Sequence, residues 1–169
     1  MEMTQSIVKI RDIIDKSWEF IWKIDNWSTK RRQAQNGIDT EIDSKYFYSH
    51  KNGYKLRLSA YPNGFGDGDG SHFGLSFFIL KGPSDDILEW PFKHNVEISL
   101  IDQQSGLEHC TRTAKYPDGP NKKDAFNKPI NDENIGLGYP KFITLEEIST
   151  NARLCRGNQI FIKCAVKFV

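Results

Sequence analysis

The stretch Gly53–Gly82, GYKLRLSAYPNGFGDGDGSHFGLSFFILKG, restricts the fold of this chain more than any other. In its first arm Leu56, Leu58 and Ala60 alternate with Lys55, Arg57, Ser59 and Tyr61. A period of two sends one set into a core and leaves the other on an open face, so Arg57, Ser59 and Tyr61 project together. The second arm, from Phe73 to Leu80, is apolar or small at nearly every position. That pattern describes a strand covered on both sides, central to a sandwich. Between the arms, Phe65-Gly66-Asp67-Gly68-Asp69-Gly70 is turn chemistry, with glycine supplying positive φ and aspartate capping its own backbone.

The same periodicity continues along the chain. Trp18, Phe20, Trp22 and Ile24 alternate with polar residues and mark a strand over Trp18–Asp25. Val96–Ile101 and Gln159–Val169 read as strands, Lys141–Leu145 as a short one and Glu146–Thr150 as a helical turn. Ser28 to Asn36, carrying Lys30, Arg31 and Arg32 and closed by Gly37, reads as a surface loop. Ile87-Leu88-Glu89-Trp90-Pro91-Phe92 reads as a loop that plugs one end of the core, since proline excludes a central ladder position. Asp102 to Ala125, with Pro117, Gly119 and Pro120, reads as a long connection. Short strands, tight turns and little helix predict an all-β antiparallel sandwich over residues 18–169.

Residues 1–17 are of another kind. Ile7, Ile10 and Ile14 fall at three- and four-residue intervals, a short seam of the coiled-coil type. A helix this short is marginal alone in water and needs a partner, either other copies in a trimer or the chain's own domain.

Twenty-three Lys and Arg against 22 Asp and Glu give a net charge of +1, which leaves no global electrostatic footprint for nucleic acid. The three cysteines, Cys110, Cys155 and Cys164, are too irregularly spaced for a disulfide framework and fit reduced thiols in a cytosolic protein. Nothing in the chain has the pattern of an active site. Gly74-Leu75-Ser76-Phe77 lacks the second glycine of a nucleophile elbow, and the four histidines show no metal-ligand spacing. Aligning Gly70 with the invariant glycine of a calcium loop puts Phe65 and Ser76 where acidic ligands belong. No metal or other cofactor is expected. What remains is an exposed face, Arg57, Ser59 and Tyr61 with the glycine-rich turn and Gly136-Leu137-Gly138-Tyr139, which holds the ingredients of a peptide groove or of an ordinary polar face.

Six segments in order, Phe20-Ile21-Trp22-Lys23-Ile24, Gly53-Tyr54-Lys55-Leu56, Tyr61-Pro62-Asn63-Gly64, Leu88-Glu89-Trp90-Pro91-Phe92, Leu100-Ile101-Asp102-Gln103 and Gly136-Leu137-Gly138-Tyr139-Pro140-Lys141-Phe142, resemble the C-terminal domain of the tumour-necrosis-factor-receptor-associated factors, the TRAF family within the MATH group. The wording around Tyr54–Tyr61 and Gly136–Phe142 is most similar to the fourth member of that family or to a divergent invertebrate relative.

The resemblance implies an eight-stranded antiparallel β-sandwich behind a coiled-coil helix, with no catalysis in this domain; any ubiquitin-ligase activity would sit in an upstream RING. It implies a homotrimer joined through Ile7, Ile10 and Ile14 that binds short peptides of receptor cytoplasmic tails or adaptors in an edge groove, in the cytoplasm or recruited to the plasma membrane or cell junctions. The groove set it implies is Arg57, Ser59, Tyr61, Phe65, Ser76, Ile98, Lys123, Asp124, Ile135, Gly136, Leu137, Gly138 and Tyr139. Of the family's peptide-gripping groups only Tyr61 is kept. Ser59 stands for the arginine, Phe65 for the aspartate, and Lys123-Asp124-Ala125 for the serines. An unpaired Arg57 is expected to substitute in part for the lost arginine. Two other uses stay open: a phosphoinositide or membrane-surface module contacting headgroups through Lys30, Arg31 and Arg32, or the substrate-recognition part of a ubiquitin ligase.

Overall fold

The computed structural model describes residues 17–116 and 120–169. The coiled-coil expectation for Ile7, Ile10 and Ile14 lies outside the described residues. Two antiparallel sheets face one another. One is ordered β1 (Ser17–Ile24), β9 (Ile160–Lys167), β6 (Asn95–Leu100), β7 (Cys110–Ala114). The other runs from β4 (Lys55–Tyr61) through β5 (His72–Leu80) to β8 (Leu137–Thr144). Two short strands, β2 (Ile42–Asp43) and β3 (Phe47–Tyr48), both lie along the outer side of β4. They occupy one edge in succession, so nine short segments fill eight strand positions, the expected sandwich.

The alternation of β4 resolves as its sequence predicts: Leu56, Leu58 and Ala60 are fully buried. So are Phe73, Leu75 and Ile79 of β5, which is hydrogen-bonded on both sides and central to its sheet. Val96, Ile98, Leu100, Ile160, Ile162 and Cys164 meet them from the opposite sheet. Aromatic rings close the ends of this core. Trp27 meets Phe73 edge-on at 5.4 Å, Tyr54 meets Phe92 at 4.7 Å, and Phe20 stacks on Phe47 at 4.0 Å. Each such ring adds about 0.5–1.5 kcal/mol beyond the area it buries. The loop read as a core plug does this through Phe92, fully buried, and the half-buried Trp90, while Ile87 stays in solvent.

Two expectations need correction. The basic segment after Asn26 is not a loop but a helix, α1 (Trp27–Gln35). Lys, Arg, Gln and Ala are good helix formers, and the start is set from far away: Asn158 accepts the amides of Trp27 at its carbonyl (3.0 Å) and of Ser28 at its side chain (2.9 Å). The long connection Asp102–Ala125 contains β7. Its sequence Cys-Thr-Arg-Thr-Ala has no apolar alternation because the strand lies at a sheet edge, with Thr111, Arg112 and Thr113 exposed. It is held by the ladder to β6 and by a 2.8 Å hydroxyl bond between Ser99 and Thr111. The helical turn predicted near Glu146 is α2 (Leu145–Thr150), capped by the Thr144 hydroxyl, which accepts the Glu147 amide at 3.2 Å.

Candidate functional site

The outer face of the β4–β5–β8 sheet carries most of the predicted residues, and strand register explains the assembly. Ser59 pairs with Ser76 and Ser76 with Gly138, while Asp43 of β2 pairs with Ser59. Asp43, Ser59, Ser76 and Gly138 thus form one cross-strand row of small side chains ending in a carboxylate. On one side lies the row containing Tyr61 and its partner Gly74. On the other, Arg57 stands opposite Phe78.

Phe65, from the turn after β4, lies over the glycines of two rows. A Cβ at Gly74 would come within 2.7 Å of its ring, and one at Gly138 within 2.8 Å. Only glycine at those positions lets the ring settle on the sheet. Tyr61 covers it from above, ring centroids 4.1 Å apart. The Tyr61 hydroxyl donates to Glu41 at 3.2 Å. Burial above all, opposed by a hydrogen bond with Ser76 and reinforced by Glu41, pushes its pKa up, so Tyr61 acts as a neutral phenol. The result is an aromatic ledge over a floor of serine and glycine.

Arg57 departs from expectation. It is not unpaired: its guanidinium is engaged within the domain. One guanidinium nitrogen lies 2.6 Å from an Asp43 carboxylate oxygen and donates to the Ser59 hydroxyl at 2.7 Å. The other donates to Glu133 at 2.7 Å. Its Cζ lies 4.3 Å from the centroid of the Phe78 ring, and the side chain is only 12% exposed. Ser59 in turn donates to Asp43 at 2.6 Å and is fully buried beneath these groups. Asp43, Glu41, Glu133 and Phe78 were not singled out from sequence. The sole signal was the alternation Glu41-Ile42-Asp43, which places two carboxylates on one face of an edge strand.

The other predicted groove residues divide. Gly136 lies under Phe78, whose ring atoms would come within 2.5 Å of a Cβ there, and Ile135 is 71% exposed beside it. Lys123 and Asp124 are exposed on the 3-10 turn Pro120–Phe126. Asp124 and Ile135 share with Glu133 and Asn134 a depression of about 220 Å³. Tyr139 is half-buried, 6.5 Å from the Phe142 ring. Two members of the set belong elsewhere. Leu137 is 2% exposed, because the alternation of β8 that turns Gly136 and Gly138 outward turns it into the core. Ile98 is fully buried in β6 of the opposite sheet. The basic trio forms no single cluster: Lys30 donates to the Asp25 carbonyl at 2.6 Å, Arg31 donates to the Ser149 hydroxyl, and Arg32 is exposed at the end of α1.

β8 pairs with β5 alone and is an edge strand. Near its far end Arg112 covers the edge by donating to the Phe142 carbonyl at 2.8 Å. The segment around Gly138 and Tyr139, next to the aromatic ledge, lies on that same edge. An edge strand beside a ledge and a small-residue floor can hold an extended chain through backbone bonds and one apolar anchor. Among the described residues no group of three or more His, Cys, Asp or Glu is placed to hold a metal ion.

Comparison with known proteins agrees with this fold. The family model described as "MATH domain" matches residues 19–166. The chain is 40% identical to human TNF receptor-associated factor 2 over 87% of its own length and 28% of that protein's. It is 38% identical to human TNF receptor-associated factor 5 over 88% of its length and 26% of that protein's. The chain thus spans about a quarter of the length of these curated relatives. Among solved structures, Notothenia coriiceps TRAF5 superposes with a TM-score of 0.82 at 26% identity, covering 99% of this chain and 84% of that one. The chain belongs to the MATH domain family and is a C-terminal TRAF domain within it.

Proposed function

We propose that this domain is the ligand-reading part of a trimeric signalling adaptor and binds short linear peptides, from receptor cytoplasmic tails or other adaptors, on the outer face of β4, β5 and β8. The observation that carries the reading is the ledge of Tyr61 and Phe65 over Gly74 and Gly138 at an edge strand. Such an edge supplies backbone partners for an added strand, and the ledge supplies an apolar anchor point. The names of the relatives, factors associated with TNF receptors, point to the same class of partner. Self-association is supported by a second surface. Trp18 and Tyr46, 48% and 57% exposed, border a cavity of about 710 Å³ lined also by Phe20, Phe47 and Tyr48, at the start of β1. Exposed aromatic side chains gathered around a cavity offer apolar area for a second copy to cover. Assembly as a trimer would raise weak single-site affinity by about 10²–10⁴ through avidity where geometry permits.

A random-octapeptide display selection against the whole chain tests the groove. Selected peptides should lose binding to Tyr61→Ala and Phe65→Ala while the melting curves stay cooperative. Peptides indifferent to both substitutions would place the site elsewhere. Light scattering that returns a monomer at high concentration would remove the trimer.

A further inference from the structure

Arg57 occupies the centre of the proposed groove, and its hydrogen-bonding capacity is directed inward. Its two terminal nitrogens serve Asp43, Ser59 and Glu133, and its Cζ sits over the Phe78 ring. A carboxylate arriving from a peptide would meet a guanidinium whose terminal nitrogens already serve two resident carboxylates, and displacing either of them would lose a charge-assisted bond for the one gained. The backbones that carry the two residents are fixed to the sheet. Asp43 is in ladder register with Ser59. The backbone on either side of Glu133 is tied to the end of β5 and the residue after it, with Lys81 donating to the Asp132 carbonyl at 2.8 Å and Asn134 to the Ile79 carbonyl at 2.9 Å.

The charge balance points the same way. One guanidinium faces two carboxylates, and Glu41 adds a third beside Tyr61. Lys55, two residues from Arg57 on the same strand, sits over the Tyr46 ring at 4.1 Å. An acidic side chain crossing Ser59 and Ser76 would therefore meet like charge, and juxtaposed like charges at an interface strongly disfavour a partner. The outer halves of Asp43 and Glu133 remain in solvent, about half exposed, and can still accept bonds from a cation.

Resting on the peptide-groove reading above, we propose that Asp43 and Glu133 determine ligand specificity: by engaging Arg57 they make the groove reject peptides acidic at the position crossing Ser59 and Ser76. They favour peptides that are neutral or carry Lys or Arg there. Rejection of the wrong ligand by resident charge is a recognised route to specificity.

The probe is the Tyr61-dependent octapeptide pool from the selection above, resynthesised with Glu, Gln or Lys at each position in turn and measured by fluorescence polarisation. At one position at least, the wild-type chain should bind Glu about tenfold more weakly than Gln or Lys. The paired substitution Asp43→Asn with Glu133→Gln, which keeps size and hydrogen-bonding groups but frees the Arg57 charge, should abolish or reverse that order. Wild-type discrimination needs no variant to fold, so a destabilised double variant still leaves the first measurement decisive. Wild-type binding in which Glu is at no position weaker than Gln or Lys overturns the inference while the groove stands, as does an unchanged order in a folded double variant. A selection that yields no peptide dependent on Tyr61 overturns the groove reading and this inference with it.

Discussion

Two arginine–carboxylate clusters in this domain look alike in a contact map and differ in purpose. Arg153 lies 3.7 Å from Asp102 and bridges to Glu108. Arg57 bridges Asp43 and Glu133. In the first cluster the carboxylate organises a turn. Asp102 accepts the amides of Gln104 at 2.9 Å, Ser105 at 3.1 Å and Glu108 at 3.2 Å, together with the Ser105 hydroxyl. In the second the cation is the centre, and its partners come from separate elements whose backbone bonds are satisfied elsewhere. One cluster holds the chain's shape; the other sets what the open face of the sheet presents.

The difference can be tested, beginning with the largest effect. Asp102→Ala removes a fully buried carboxylate and with it the shared acceptor of three turn amides, and should lower the melting midpoint by the most, with hydrogen-exchange protection lost at Gln104, Ser105 and Glu108. Protection that survives would mean the turn is held by the chain around it. Arg57→Ala should cost less, about 1–2 kcal/mol, because Asp43 and Glu133 are half exposed and regain water. A loss equal to that of Asp102→Ala, measured by urea unfolding, would place Arg57 among structural residues.

The two clusters should also part in acid. Burial works to raise the Asp102 carboxyl, but the Ser105 hydroxyl, the amides of Gln104 and Ser105, and Arg153 together hold it at about 2, below its ordinary 3.8. A carboxylate whose folded pKa is depressed contributes stability that is complete above its unfolded pKa and is lost as pH falls toward the folded one. Stability should therefore decline between about pH 5 and 2, and Asp102→Asn should flatten that decline. An unaltered acid profile in Asp102→Asn would remove Asp102 as its source. The smallest effect is salt: raising ionic strength to 1 M shortens the screening length to about 3 Å and should weaken peptide discrimination by the Arg57 cluster. The Asp102 turn, formed mainly by short bonds to a buried carboxylate, should hold its protection.

The contrast also explains what could be read from residues alone. The Asp102 turn spans seven residues, and its Asp-Gln-Gln-Ser-Gly run has turn chemistry that is visible locally. Leu56, Leu58 and Ala60 were legible as core for the same reason, since a period of two depends only on neighbours. Arg57 reaches partners 14 and 76 residues away, and no local pattern distinguishes a guanidinium that faces solvent from one that is engaged. The resemblance puts Leu137 in the groove, although the strand period applied consistently to Gly136 and Gly138 turns it inward. Ile98 shows the same limit at the level of sheets: alternation gives the face of a strand but not which of two sheets the strand joins.

By itself the sequence determined the strands with strong alternation, the aromatic core and the order of motifs that marks the family, because each depends on side chains close together along the chain. Tertiary structure decided the rest. It paired β4 with β2 and β5, laid Phe65 over Gly74 and Gly138, converted the basic segment into α1 by way of Asn158, and brought Asp43 and Glu133 to Arg57. The physical reason is that a charge takes its character from what surrounds it, and those surroundings come from distant segments that meet only when the sheet closes.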